Sequence, residues 1–274
     1  MSSKSPVLPA AKSQAAKSQA AKAKRGKRPS DPARIPARDP KGKPRAKGAV
    51  AAGRSKAGSK LCTPAEIQRI FEVFHGLEPE PKGELEHVNP YTLLVAVVLS
   101  AQATDAGVNK ATRALFKIVR TPQAMVGLGE EKLREAVKTI GLYRTKARNV
   151  ISLSERLIAL HGGEVPRARE ALEDLPGVGR KTANVVLNMA FGEATMAVDT
   201  HVFRVANRIG LSHGKNPLSV ELDLIRVIPA QFALHAHHWL ILHGRYLCKA
   251  RRPECWRCPI DRQCTFPAKS AAPA

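Results

Sequence analysis

At 274 residues the chain has room for one or two domains, and an apolar content of 43% is enough for a core. Aromatic residues are only 4%, so that core is expected to be built mainly from Leu, Val, Ile and Ala. The formal net charge of +22 and a sequence pI near 10.3 point towards a polyanionic partner, and the longest unbroken apolar run, residues 93–99, is far too short for a membrane span.

The charge is concentrated at the N-terminus. Residues 1–60 hold 17 Lys/Arg and 2 Asp/Glu, a net of +15; the remainder holds 28 and 21, a net of +7. Residues 1–61 are rich in Ala, Lys, Pro, Gly and Ser, with a near-repeat AAKSQAAKSQAAKAK. Such a segment buries too little to offset its ordering entropy, so it reads as a disordered basic arm. It either touches phosphates without regard to sequence or serves solubility alone; a mitochondrial transit peptide is a third reading. No apolar stretch of the kind a secretory signal needs follows the basic start.

From residue 63 onward the pattern is helical. Thr63-Pro64-Ala65-Glu66 has the form of a capping box with Pro at the first helical position. Asn89-Pro90 and Thr121-Pro122 repeat that start signal. Ile67, Ile70, Phe71 and Phe74, then Val108, Leu115 and Val119, follow at helical spacing. Further helices fit 131–139, 144–160 and 168–174, with stops at Gly141, Gly162 and Gly163. The fold class expected is all-α, built from many short helices.

Residues 175–192, LPGVGRKTANVVLNMAFG, hold two helices joined by a Gly-rich turn. Gly177 and Gly179 would permit positive φ and leave the backbone bare. The amides of Gly177, Val178 and Gly179 could then face an approaching phosphate at the start of the second helix, with Arg180 adding charge. A plain helix–helix turn explains the pattern equally well. Lys181 by itself is adequately read as a surface cation or a phosphate contact.

Here the sequence resembles a known family. LPGVGRKTANVV is similar to the helix-hairpin-helix motif of base-excision DNA glycosylases, and AVDTHVFRVANRIG at 197–210 resembles the loop and aspartate that follow it. The pair Lys181 and Asp199 marks the bifunctional endonuclease III branch, and the resemblance runs from about 63 to 266. It implies that Lys181 attacks C1′ of a damaged deoxynucleotide, forming a Schiff base whose β-elimination opens the strand. It implies that Asp199 stabilises charge developing on the sugar. Asp199 also stands where an N-cap belongs, and the two roles are compatible, provided it does not pair with the amine. His201, beside it, is expected to orient it or to touch the DNA backbone.

The resemblance further implies that Gln102 in SAQATD (100–105) and Leu142 in IGLY (140–143) fill the gap left when a nucleotide is flipped out of duplex DNA. On pattern alone Leu142 reads as core and Gln102 as a surface polar residue. Cys248, Cys255, Cys258 and Cys264 are spaced C-x6-C-x2-C-x5-C, which suits one metal centre, zinc or iron–sulfur. One C-x2-C knuckle is fewer than a zinc ribbon has, and the spacing resembles the family's [4Fe–4S] loop. Lys249, Arg251 and Arg252 lie between the first two ligands and are expected to face a phosphate strand; a solvated charged loop is the plainer reading. Cys62 is assigned no role. The His-rich run 235–248 reads as a packed helix on His238, Trp239, Leu242 and Tyr246.

The architecture implied is two helical domains with a DNA cleft between them. A six-helix domain at 83–193 carries the hairpin, a discontinuous one at 62–82 and 194–266 carries the cysteines, and 267–274 is a tail. The expected activity is removal of oxidised or damaged pyrimidines by a monomer acting on duplex DNA, without a membrane, in a bacterial cytoplasm at the nucleoid. A monofunctional adenine or uracil glycosylase and a non-catalytic DNA binder are the alternatives. Against the adenine type stand the absence of a carboxylate in 93–99 and a chain that ends soon after Cys264.

Overall fold

The structure is a computed structural model, and it describes residues 60–273. The predicted basic arm lies almost wholly outside the described residues. Among these there are eleven α-helices and no strand. They are α1 (Pro64–Leu77), α2 (Pro90–Ser100), α3 (Asp105–Ile118), α4 (Pro122–Leu128), α5 (Glu130–Ala136), α6 (Tyr143–His161), α7 (Arg169–Glu173), α8 (Arg180–Phe191), α9 (Thr200–Ile209), α10 (Pro217–Val227) and α11 (Ala233–Tyr246).

The helix starts follow from local chemistry. Thr63 accepts from the Glu66 N–H while the Glu66 carboxylate accepts from the Thr63 N–H, closing the capping box expected there. Asn89 and Thr92 make the same reciprocal arrangement before α2, and Thr121 caps α4. Gly162 ends α6 in the left-handed region at φ 62°. Gly141 does not serve as a left-handed stop; the next residue, Leu142, takes that conformation instead.

Two hydrophobic cores form. The first is almost wholly aliphatic and draws on residues between Tyr91 and Ala197. α2 runs through it with every residue from Tyr91 to Leu99 buried, packed on α3, α6 and α8. Burial on all sides explains why this helix reads as an apolar run without helical periodicity. The second core joins α1 to α9, α10 and α11. Phe71, Phe74, Phe232 and Trp239 cluster there with ring centroids 5.9 to 6.5 Å apart, whereas the first core buries only Tyr91 and Phe116 among aromatics. On α11 the buried residues are Ala236, His237, Trp239, Leu240, His243 and Gly244. Tyr246, expected on the packed face, is exposed.

The segment between α8 and α9 passes from the first core to the second. Asn184 and Asn188, one turn apart on α8 and both buried, donate to the carbonyls of Met196 and Glu193. Asn188 also donates to the Leu234 carbonyl ahead of α11. Buried amides with these partners hold the linker against α8 and so set where α9 begins.

Candidate active site and nucleic-acid interface

The turn between α7 and α8 is built as a backbone feature. Gly177 is left-handed at φ 81°, and a Cβ there would lie 2.9 Å from the Asn149 side-chain nitrogen on α6. Glycine is therefore required. Gly179, expected to need the same freedom, has φ −108°; its hydrogen side chain instead leaves open space in front of α8. No side chain caps α8, so its first N–H groups have no side-chain acceptor. Val178 departs from expectation, because its side chain is buried in the first core and its N–H donates to the Leu175 carbonyl at 3.0 Å. It anchors the turn and does not offer an amide to a ligand.

Arg180 also differs. Its guanidinium makes two hydrogen bonds of 2.8 Å to the Glu221 carboxylate, which is 5% exposed, on α10. The fork is committed to joining α8 to the second core and is not free beside the turn.

Lys181 follows, exposed at the start of α8, and lines a cleft. The cleft walls come from α2 (Val97, Ser100), α8 (Val185, Met189) and α11 (His237, Arg245). Among the described residues Lys181 enters no hydrogen bond or ion pair. His237 lies buried in the same wall; its ring donates to the Ala197 backbone while Nδ1 is left without a partner. Burial, the neighbouring His238 and the charges of Lys181 and Arg245 hold its pKa well below the usual histidine value.

Asp199 caps α9. One carboxylate oxygen accepts from the His201 and Val202 N–H groups, each at 2.8 Å. The carboxylate is thus fixed by its own helix and not paired with Lys181. His201 contributes its backbone to that cap, and its ring nitrogen lies 3.3 Å from Arg204.

Gln102 and Leu142 are both exposed, and they are the two non-glycine residues with positive φ among those described, at 55° and 59°. Their loops adjoin: a Cβ on Gly141 would stand 3.9 Å from the Gln102 carbonyl. Leu142, 62% exposed, is not a core residue.

The four cysteines Cys248, Cys255, Cys258 and Cys264 are free thiols lining one cavity. Each of the other three acts electrostatically on Cys258, whose thiol is pushed up to about 11, chiefly by burial. Among the described residues no three His, Cys, Asp or Glu side chains close on a point that would hold a single ion. The loop is tied down by α9: Arg204 donates to the Gly244 and Cys248 carbonyls, and Arg208 to those of Lys249 and Ala250. Lys249 pairs with Glu254 at 2.5 Å, whereas Arg251 and Arg252 are exposed and in no ion pair among the described residues. Cys62 is buried nearby but does not line this cavity; its Sγ is 3.1 Å from the Ile209 carbonyl and 3.5 Å from that of Gln263, the residue before Cys264.

Several of these partners are not visible in the pattern of the chain. Arg204 and Arg208 are four residues apart on α9, a spacing that places them on one face and was a usable signal. Arg245 bridges Glu84 and Asp105, the latter at 2.6 Å, and Tyr246 donates to Glu84. Nothing local announces a contact across 140 residues. Among the described residues no helix is long and apolar enough to cross a membrane.

Residues 95–230 match the HhH-GPD superfamily base excision DNA repair protein family. The endonuclease III of Treponema pallidum (strain Nichols) is 58% identical over 72% of this chain and 94% of its own length. That of Escherichia coli K12 is 56% identical over 70% of this chain and 90% of its own. The solved structure of a trapped endonuclease III–DNA covalent intermediate superposes with a TM-score of 0.70 at 46% identity, covering 74% of this chain and 96% of that one. The thermostable thymine-DNA glycosylase, 24% identical with a TM-score of 0.67, shares the fold. At this identity over nearly the whole length of those relatives, the chain belongs to the endonuclease III family of base excision DNA repair enzymes.

Proposed function

We propose that this chain is a bifunctional DNA glycosylase and abasic-site lyase that excises damaged pyrimidines from duplex DNA, with Lys181 as the nucleophile. The observation that carries the reading is the separation of the two groups. The Lys181 amine is unpaired beside the cleft, while the Asp199 carboxylate is held by two backbone amides of α9. An amine paired to a carboxylate would be kept protonated.

The chemistry is then as follows. A phosphate of the lesion strand meets the bare start of α8, and the damaged nucleotide turns out of the helix into the cleft. Gln102 and Leu142 occupy the vacated space from two adjoining loops. The neutral Lys181 amine attacks C1′, the bond from C1′ to the base breaks, and the base departs with a proton. The developing sugar cation is stabilised by Asp199. Opening of the sugar ring leaves an iminium between Lys181 and C1′, which acidifies the C2′ proton. Its removal expels the 3′ phosphate, and water releases the unsaturated aldehyde and restores the amine.

Cys248, Cys255, Cys258 and Cys264 would hold the iron–sulfur cluster. Four free thiols lining one cavity suit a four-thiolate centre, and the C-x6-C-x2-C-x5-C spacing favours [4Fe–4S] over zinc. When bound, the cluster supplies cross-linking of the loop, which keeps Arg251 and Arg252 on the surface for a phosphate strand. The two hydrophobic cores support a division into domains at 83–193 and at 62–82 with 194–266, with the cleft between them. A monomer at the nucleoid in a bacterial cytoplasm fits this reading.

Product analysis tests it. On a duplex with one oxidised pyrimidine the wild type should release the base and give the β-elimination end, and Lys181→Gln should leave the strand intact. Base release without strand cleavage by the wild type would instead favour the monofunctional alternative.

A further inference from the structure

Beyond the last cysteine the chain folds back on the cysteine loop. The Ser270 hydroxyl donates to the Pro253 carbonyl and accepts from the Cys255 N–H at 3.1 Å. Lys269 reaches Asp261, 3.2 Å from its carboxylate. These contacts fix a groove with two walls, the loop bearing Lys249, Arg251, Arg252 and Trp256 on one side and Ala268 and Ser270 on the other.

Trp256 is the unusual occupant of that groove. Of the two tryptophans in the chain, Trp239 is 4% exposed in the second core with its N–H donated to the Glu78 carbonyl. Trp256 is 49% exposed and makes no core contact. The Arg257 guanidinium lies 5.9 Å from its ring centroid and is held by Glu254, which gives the ring a supported orientation. Arg251 and Arg252, uncommitted to any carboxylate, stand in the same groove. A wet aromatic plane flanked by free guanidinium groups is the chemistry of a nucleobase platform with phosphate grips.

The reading of the chain as a DNA enzyme is assumed. Inside an intact duplex both faces of each base are already stacked, so Trp256 could reach only a base with a free face. Single strands and the ends at a nick offer one, and the proposed lyase step itself creates a nick. We propose that this groove is a second DNA subsite, in which Trp256 stacks on an unpaired nucleobase and Arg251 and Arg252 hold the flanking phosphates.

The experiment uses the full chain and a single-stranded oligodeoxynucleotide carrying one iodouracil, irradiated at long wavelength, with the cross-linked peptide mapped by mass spectrometry. The cross-link should fall on Trp256. A nicked duplex with iodouracil at the nick should cross-link there too, and the intact duplex should not. Trp256→Leu should weaken single-strand affinity about fivefold or more, and Trp256→Phe should retain most of it. Unchanged thermal melts would exclude misfolding of the variants; if the leucine variant misfolds, the cross-link map and the phenylalanine variant decide. Cross-links elsewhere, or undiminished binding by folded Trp256→Leu, would overturn the subsite. Wild-type cleavage of an abasic duplex reports separately on the DNA-repair reading.

Discussion

Gln102 and Leu142 share a left-handed backbone on two adjoining loops, at φ 55° and 59°, and both side chains face solvent. An L-residue in that conformation is disfavoured by about 1–2 kcal/mol, and Leu142 recovers little of it by burial. Stability does not explain the pair; the proposed insertion into a distorted duplex would. Leu142→Gly should therefore leave the unfolding free energy within about 1 kcal/mol of wild type, since relief of strain offsets the entropy of glycine. Its single-turnover rate on an abasic duplex should fall at least about tenfold, roughly the loss of one apolar side chain's burial. A variant both clearly less stable and fully active would contradict this account.

Arg180 and Glu221 form the bidentate bond between α8 and the second core. Removing the guanidinium leaves a carboxylate that is 5% exposed. Arg180→Ala should lose about 1–3 kcal/mol in urea unfolding, below the loss for a fully buried pair because Arg180 is partly solvated. Arg180→Leu combined with Glu221→Leu should recover most of it. If Arg180 instead acted mainly on DNA, the single variant would melt normally and lose only affinity.

Legibility in the sequence followed the range of the forces involved. Caps and the glycine turn are local, so Thr63, Asn89 and Asp199 stood where their neighbours in sequence required. The four cysteines lie within one short loop and share a cavity. Arg180 looks free in its own stretch of sequence because Glu221 is 41 residues away. The core-facing side chain of Val178 is hidden in the sequence, because nothing in a glycine turn reveals which residue points inward. The left-handed backbone at Leu142 had no local signal either, since a glycine precedes it and would ordinarily take that place.

His237 predicts an acid sensitivity. Its folded pKa lies well below the unfolded value near 6.5, chiefly through burial, with His238, Lys181 and Arg245 as the charged or titratable groups facing it. The unfolded chain then binds the extra proton first, so stability is full above about pH 6.5 and declines below it. The limiting slope for one such group is about 1.4 kcal/mol per pH unit. Denaturation midpoints between pH 7 and pH 5 should fall in the wild type and fall less steeply in His237→Gln. Equal slopes would show that other groups govern the decline.

The cysteines separate by position. Cys258→Ala should abolish the brown colour and visible absorbance of the purified protein, while Cys62→Ala should keep them, because Cys62 faces the Ile209 carbonyl and not the shared cavity. Iron and sulfide analysis checks the assignment. A colourless wild type that binds zinc would contradict the choice of metal.

The most direct measurement concerns the Lys181 amine. Incubation of the protein with an abasic-site duplex and borohydride reduces any iminium to a stable amine, and peptide mapping locates the attached deoxyribose. The account predicts one covalent adduct per chain, at Lys181, absent from Lys181→Ala. No adduct in the wild type, or one that persists in Lys181→Ala, would contradict it.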